Sequence, residues 1–156
     1  MDTEQIRQQI QELLHQMGFG TVLESVDVHQ GAASRFSVRL GADANMLIGE
    51  HGVNLMSLEH LLKKILQKKY QENGKFTLDI NDYRLKRLED LKQDVKAAAK
   101  EVRLYRREVP LNPMSPFERR IVHLLLAEYP DITTESIGQG FDRRVVIKPY
   151  PQTPNF

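Results

Sequence analysis

Apolar residues recur along the first seventeen positions at three- and four-residue spacing, Ile6, Ile10, Leu13, Leu14 and Met17, which predicts one amphipathic helix. Asp2 or Thr3 supplies its N-cap and Gly18 its C-cap. The period then changes. Thr21 to Val28 is rich in Val, and beyond the small-residue turn Gly31-Ala32-Ala33-Ser34 the residues Phe36, Val38 and Leu40 alternate with Arg35, Ser37 and Arg39, so a β-hairpin is expected. Asp43 can cap a short helical piece through Leu47. After Gly49-Glu50-His51-Gly52, a second helix is expected to turn Val53, Met56, Leu61, Leu62, Ile65 and Leu66 inward, ending at Asn73-Gly74. Phe76, Leu78 and Ile80 alternate with Thr77, Asp79 and Asn81 in a third half-buried strand. The predicted order is α-β-β-α-α-β.

From Tyr83 to Arg107 neither Gly nor Pro intervenes, and Leu85, Leu88, Leu91, Val95, Ala98, Val102 and Tyr105 keep helical spacing, which predicts one long helix. Ser115-Pro116-Phe117-Glu118 is a capping box with Pro at the first helical position. The helix it opens should run to about Glu128 and bury Phe117, Ile121, Leu124, Leu125 and Tyr129. Ile132 to Ile137 and Phe141 to Lys148 read as two strands around Gly138-Gln139-Gly140. The expected fold is α+β in two small domains, 1–82 and 108–150, joined by a helix over 83–107, with a Pro-rich tail at 151–156.

Composition narrows the function. The chain has 156 residues, 40% hydrophobic and 28% charged, in the range of ordinary globular proteins. No run of 18 apolar residues occurs and the N-terminus is polar and acidic, so cytoplasmic placement without membrane insertion is expected. The absence of cysteine removes disulfides, thiolate nucleophiles and thiolate metal sites. The five histidines show no metal-ligand spacing with carboxylates and no phosphate-binding Gly-x-x-x-x-Gly-Lys loop is present, so no cofactor, metal or catalytic residue is expected and an enzyme is the least supported reading.

Charge is balanced overall at +1 but unevenly laid out. Residues 1–82 carry 8 Lys or Arg against 11 Asp or Glu, whereas residues 83–156 carry 14 against 10. The segment 83–107 alone has 9 against 4, with Lys92, Lys96, Lys100, Arg103 and Arg107 along one helical stripe of roughly 22 Å. Most of these cations lack an acidic neighbour in sequence. Such a stripe could follow several phosphates or serve only as a solvated face.

Two motifs could touch nucleic acid directly. In Gly49-Glu50-His51-Gly52 the end glycines admit backbone conformations closed to other residues, and the following helix aims free N–H groups at the loop. It could equally be an ordinary helix-loop-helix turn. On the helix at 116–128, Arg119 and His123 lie four residues apart on one face. Arg offers a planar fork for phosphate and His a ring that donates or stacks. A small sheet behind that helix would bring Arg143, Arg144 and Lys148 near them, beside Arg120. A bare Arg-x-x-x-His pair is common by chance; its surroundings distinguish this one.

The loop at 49–52, set between helices in an α-β-β-α-α-β chain, resembles the nucleic-acid-clamping loop of a type II KH domain. Glu50, where a basic residue is usual, repels phosphate. The run Leu111-Asn112-Pro113-Met114-Ser115-Pro116-Phe117-Glu118-Arg119-Arg120-Ile121-Val122-His123, with Ile132-Thr133-Thr134 and Arg143-Arg144-Val145-Val146-Ile147, resembles the R-three-H domain, named for its Arg and His. The pairing over nearly the whole chain resembles the bacterial Jag family (SpoIIIJ-associated, KhpB/EloR), without a counterpart of its N-terminal Jag domain. That resemblance implies a cytoplasmic, post-transcriptional RNA-binding protein linked to cell elongation, division or envelope synthesis. It implies single-stranded RNA, and by the same chemistry single-stranded DNA, as ligand, and a small single-KH protein or a second copy as partner. It assigns Arg119 and His123 to the signature and Gly49 to Gly52 to the KH loop. The competing reading is a protein-interaction module with incidental nucleic-acid binding. No exposed aromatic series is apparent in the sequence, so stacking is expected to add little.

Overall fold

The computed structural model describes residues 2–151, and the chain divides into two compact units, 1–84 and 85–156. The expected tail at 152–156 lies outside the described residues.

The first unit contains α1 (Thr3–Gln16), β1 (Leu23–His29), β2 (Ser34–Leu40), α2 (Ala44–Ile48), α3 (Val53–Tyr70) and β3 (Phe76–Ile80). Asp2 and Gln5 close a capping box on α1. β1 and β2 pair antiparallel, and β3 lies parallel to β2, so the sheet order is β1-β2-β3. The parallel pairing requires a crossover, which α2 and α3 supply. Phe36, Phe76, Leu78 and Ile80 from the sheet meet Ile10 and Leu14 of α1 and Leu55, Leu62 and Leu66 of α3 in one core, with the rings of Phe36 and Phe76 edge to face at 5.6 Å.

The phase of α3 differs from expectation. Leu55, Leu58, Leu62 and Leu66 are buried, while Val53, Met56 and Leu61 are exposed. The helix has apolar residues on two faces, and spacing alone does not say which meets the sheet.

The second unit is built from α4 (Tyr83–Tyr105, beginning at the end of the first unit), β4 (Val109–Pro110), α5 (Pro116–Leu126), β5 (Ile132–Ile137) and β6 (Arg144–Pro149). β6 is central and antiparallel to both neighbours, giving the order β4-β6-β5. Its core joins Leu91, Val95, Ala98, Ala99 and Val102 of α4 with Val122 and Leu126 of α5 and Val145 and Ile147 of β6. α4 is therefore a structural wall of this unit, where a separate connector was expected. Leu85 and Tyr105, assigned to its apolar stripe, are exposed.

α5 also turns differently. Glu118, Val122 and Leu126 face inward, Ile121 is half-buried, and Phe117, Leu124, Leu125 and Tyr129 are exposed. The reason is electrostatic as well as apolar. Glu118 closes the capping box with Ser115 and also accepts a 2.6 Å hydrogen bond from Arg87 Nε of α4, which fixes the rotation of the helix.

Candidate nucleic-acid interface

The Arg and His of α5 are both held by neighbours. Arg119 Nη1 donates to the Met114 carbonyl at 2.9 Å, and the Met114 N–H donates to the Arg143 carbonyl at 3.1 Å. The start of α5 and the start of β6 are thus tied through one residue, which places Arg119 beside the backbone of Arg143. One turn along, His123 Nδ1 shares a 2.6 Å hydrogen bond with Thr134 Oγ1 of β5. This fixes the ring plane, and the other ring nitrogen has no partner among the described residues. Both side chains are half-buried, so their donors are oriented before any ligand arrives.

The other expected cations divide into two groups, and by strand alternation Arg144 and Lys148 point to the sheet face opposite Thr134 and Ile147. Arg120, Arg143 and Arg144 form no ion pair among the described residues. Arg143 donates to the Gly138 carbonyl at 3.1 Å and Arg144 to the Asp142 carbonyl at 3.1 Å, each using one of five N–H donors. Lys148 is differently placed: Glu135 holds it at 2.5 Å and Glu108 at 3.7 Å. Those contacts raise the Lys148 pKa and lower that of Glu135, mainly through their mutual hydrogen bond.

The expected open stripe on α4 is largely compensated. Lys92 meets Glu89 at 3.5 Å, Arg103 pairs with Asp131 at 2.8 Å, and Arg107, beyond the helix end, pairs with Glu101. The hydrogen bond from Arg103 holds the Asp131 carboxyl below its ordinary value. Arg103 also lies 4.5 Å from the centroid of the Tyr129 ring. Lys96 and Lys100 are exposed and have no carboxylate partner among the described residues.

In the first unit, Gly49 and Gly52 have φ of 71° and 76°. A Cβ at Gly49 would meet Asn54 Cγ at 2.6 Å and one at Gly52 would meet the Tyr83 ring at 2.9 Å, so both steric space and backbone demand glycine. The loop is braced by Asn54 Nδ2, which donates to the Met46 carbonyl at 2.8 Å. Between the glycines, His51 also adopts a left-handed conformation, and the Glu50 side chain is 90% exposed. The most prominent charge on the loop is therefore a carboxylate.

Three features escaped the sequence reading. Thr134 positions His123 from a different element, and Phe117 and Phe141 are exposed at 69% and 77%. No exposed aromatic series is apparent in the sequence, whereas these two rings, with Tyr105 and Tyr150, are exposed. The exposure of Phe117 follows from the rotation of α5, which Glu118 and Arg87 set.

Comparison with known proteins locates the same region. Residues 86–149 match the R-three-H domain family, which spans α4 to β6 and takes in Arg119 and His123. The chain is also similar to proteins named RNA-binding protein KhpB. It is 37% identical over 109 residues to that of Bacillus subtilis, covering 69% of this chain and 52% of the relative. It is 36% identical over 107 residues to that of Clostridium symbiosum, covering 69% and 48%, and 30% identical over 133 residues to that of Streptococcus pneumoniae, covering 81% and 40%. The chain spans about half the length of the curated relatives it matches, or less.

Proposed function

We propose that this chain is a non-catalytic protein that binds single-stranded RNA, with the second unit as the principal contact and the first unit a type II KH domain that contributes less. The observation that carries this reading is the pre-oriented pair Arg119 and His123, locked by Met114 and Thr134, with Arg120 next along α5 and the Arg143 backbone tied to Met114. Arg144, Lys96 and Lys100 add cations of the same unit that have no ion pair among the described residues. Support for the KH assignment comes from the element order, the β1-β2-β3 sheet and the two positive-φ glycines bounding the loop. In this reading the protein acts in the cytoplasm after transcription, and its link to cell elongation, division or envelope control rests on the family resemblance alone.

A second reading is favoured by one specific feature. Met46, Val53, Met56 and Leu61 leave apolar surface exposed on α2 and α3, as a module that docks a small KH protein or a second copy of itself would. The two readings separate in one titration. Fluorescence anisotropy with a pool of single-stranded RNA at about 50 and about 200 mM salt should give an affinity that falls steeply with salt, because bound cations displace counterions. Arg119→Ala/His123→Ala should lower that affinity at least about tenfold, given roughly 1.5 kcal/mol or more per charge-assisted contact. Binding that is absent, or indifferent to both salt and the double substitution, would favour the docking module.

A further inference from the structure

The turn between β5 and β6 presents an aromatic ring in a way that neither the apolar core nor an ion pair explains. Phe141 is 77% exposed at the centre of a short helical turn, Gly140–Asp142. That turn is rigid. Backbone hydrogen bonds run from Asp142 to Gln139 at 3.1 Å and from Arg143 to Gly140 at 3.3 Å. At Gly138, φ is 83° and a Cβ would stand 2.9 Å from the Asp142 carbonyl oxygen, so the chain closes on itself there. The guanidiniums of Arg143 and Arg144 bond to the Gly138 and Asp142 carbonyls, which flank Phe141 in sequence, and their remaining donors have no partner among the described residues. Asp142 contributes one exposed carboxylate to the same turn, leaving an excess of one positive charge over 138–144.

An exposed ring on a hydrogen-bonded turn loses less conformational freedom when covered than one on an open loop. A partner that places a flat, apolar face on the ring and anions on the flanking guanidiniums satisfies both features at once. A nucleotide carries that combination, a π-face and a phosphate on one flexible unit. We propose that Phe141 is a base-stacking platform, on which one nucleobase of a bound single strand rests while its adjoining phosphates engage Arg143 and Arg144. This rests on the RNA-binding reading above and adds to it a contact that depends on bases, as distinct from the backbone charge.

The test uses the full chain and two labelled probes of equal length, an oligoadenylate and an abasic ribose-phosphate chain, titrated by anisotropy. Phe141→Leu should weaken oligoadenylate binding about tenfold, within the range of one base stacked on an aromatic side chain, and leave abasic binding within about twofold. Phe141→Trp should restore the affinity, and its indole emission should quench as the base stacks. Phe117→Leu, on the outward face of α5, controls for general loss of exposed apolar surface. If Phe141→Leu leaves oligoadenylate binding unchanged, weakens both probes equally, or acts no differently from Phe117→Leu, the platform is refuted. If the wild-type chain binds neither probe, the RNA-binding reading itself has failed, which is a separate result.

Discussion

The two units share a plan, a three-stranded sheet with helices packed on it, but they dispose of their charges in different ways. In the first unit some of the cations are paired, Arg39 with Asp82 and Lys63 and Arg84 both with Glu59, while Arg35, Lys64, Lys68 and Lys75 have no carboxylate partner among the described residues. Its glycine-bounded loop exposes a carboxylate. In the second unit the helix start is neutralised internally, by Arg87 and Glu118, while Arg120, Arg143 and Arg144 around it keep unmatched charge. Similar architecture thus leaves a carboxylate foremost on the loop of one unit and unmatched guanidiniums on the other. In the proposed reading, which ion pairs the fold completes matters more than the count of basic residues.

That contrast can be broken in stages. The largest expected effect is structural. Glu118→Ala removes the capping-box partner of Ser115 and one hydrogen bond of Arg87, and should destabilise the second unit by about 2 kcal/mol. Urea unfolding followed by amide signals of each unit would show the loss in residues 85–149 and an unchanged first unit. Next comes the α4 face: Lys96→Glu/Lys100→Glu should weaken RNA binding roughly tenfold across all sequences and flatten its salt dependence by about two counterions. Unchanged binding would confine the contact to α5 and the 138–144 turn.

A smaller effect should convert the first unit toward the second. Glu50→Lys replaces an exposed anion in the loop with a cation and should raise RNA affinity about threefold at low salt, with a steeper salt slope. Smallest is the acid response. Asp131 and Glu135 have folded pKa values below their ordinary 3.8 and 4.5, first through hydrogen bonds from Arg103 and Lys148. A depressed carboxyl stabilises the fold fully above its unfolded pKa and loses that contribution as pH falls through the folded value. The thermal stability of the second unit should therefore fall slightly as pH drops below about 4.5, and Asp131→Asn/Glu135→Gln should flatten that slope.

Much of the local structure was legible because it is locally encoded. Asp2 and Ser115 cap α1 and α5 as their motifs indicate, and the alternation at Phe36, Val38 and Leu40 marks a strand with those residues buried. The rotation of helices was not legible where both faces are apolar. In α3 the inward set is Leu55, Leu58, Leu62 and Leu66, and in α5 an acid, Glu118, takes an interior place that Phe117 was expected to fill. β4 has two residues, too few for any periodicity. The spacing of Arg119 and His123 was visible, but the hydroxyl of Thr134 that orients the ring is eleven residues away. Likewise Asp131 neutralises Arg103 from 28 residues away, a pairing that only the fold creates. Pairing with Glu89, Glu101 and Asp131, only the last of them distant in sequence, left Lys96 and Lys100 as the open cations of that stripe.

The central claim is that the second unit, and not the glycine-bounded loop of the first, grips the strand. The most direct measurement is the perturbation of backbone amide signals of the full chain as a short oligoadenylate is added. The account predicts shifts concentrated at 114–123 and 138–148, smaller ones near Lys96 and Lys100, and little change at 49–52. Shifts concentrated at 49–56, with the α5 region unmoved, would contradict it.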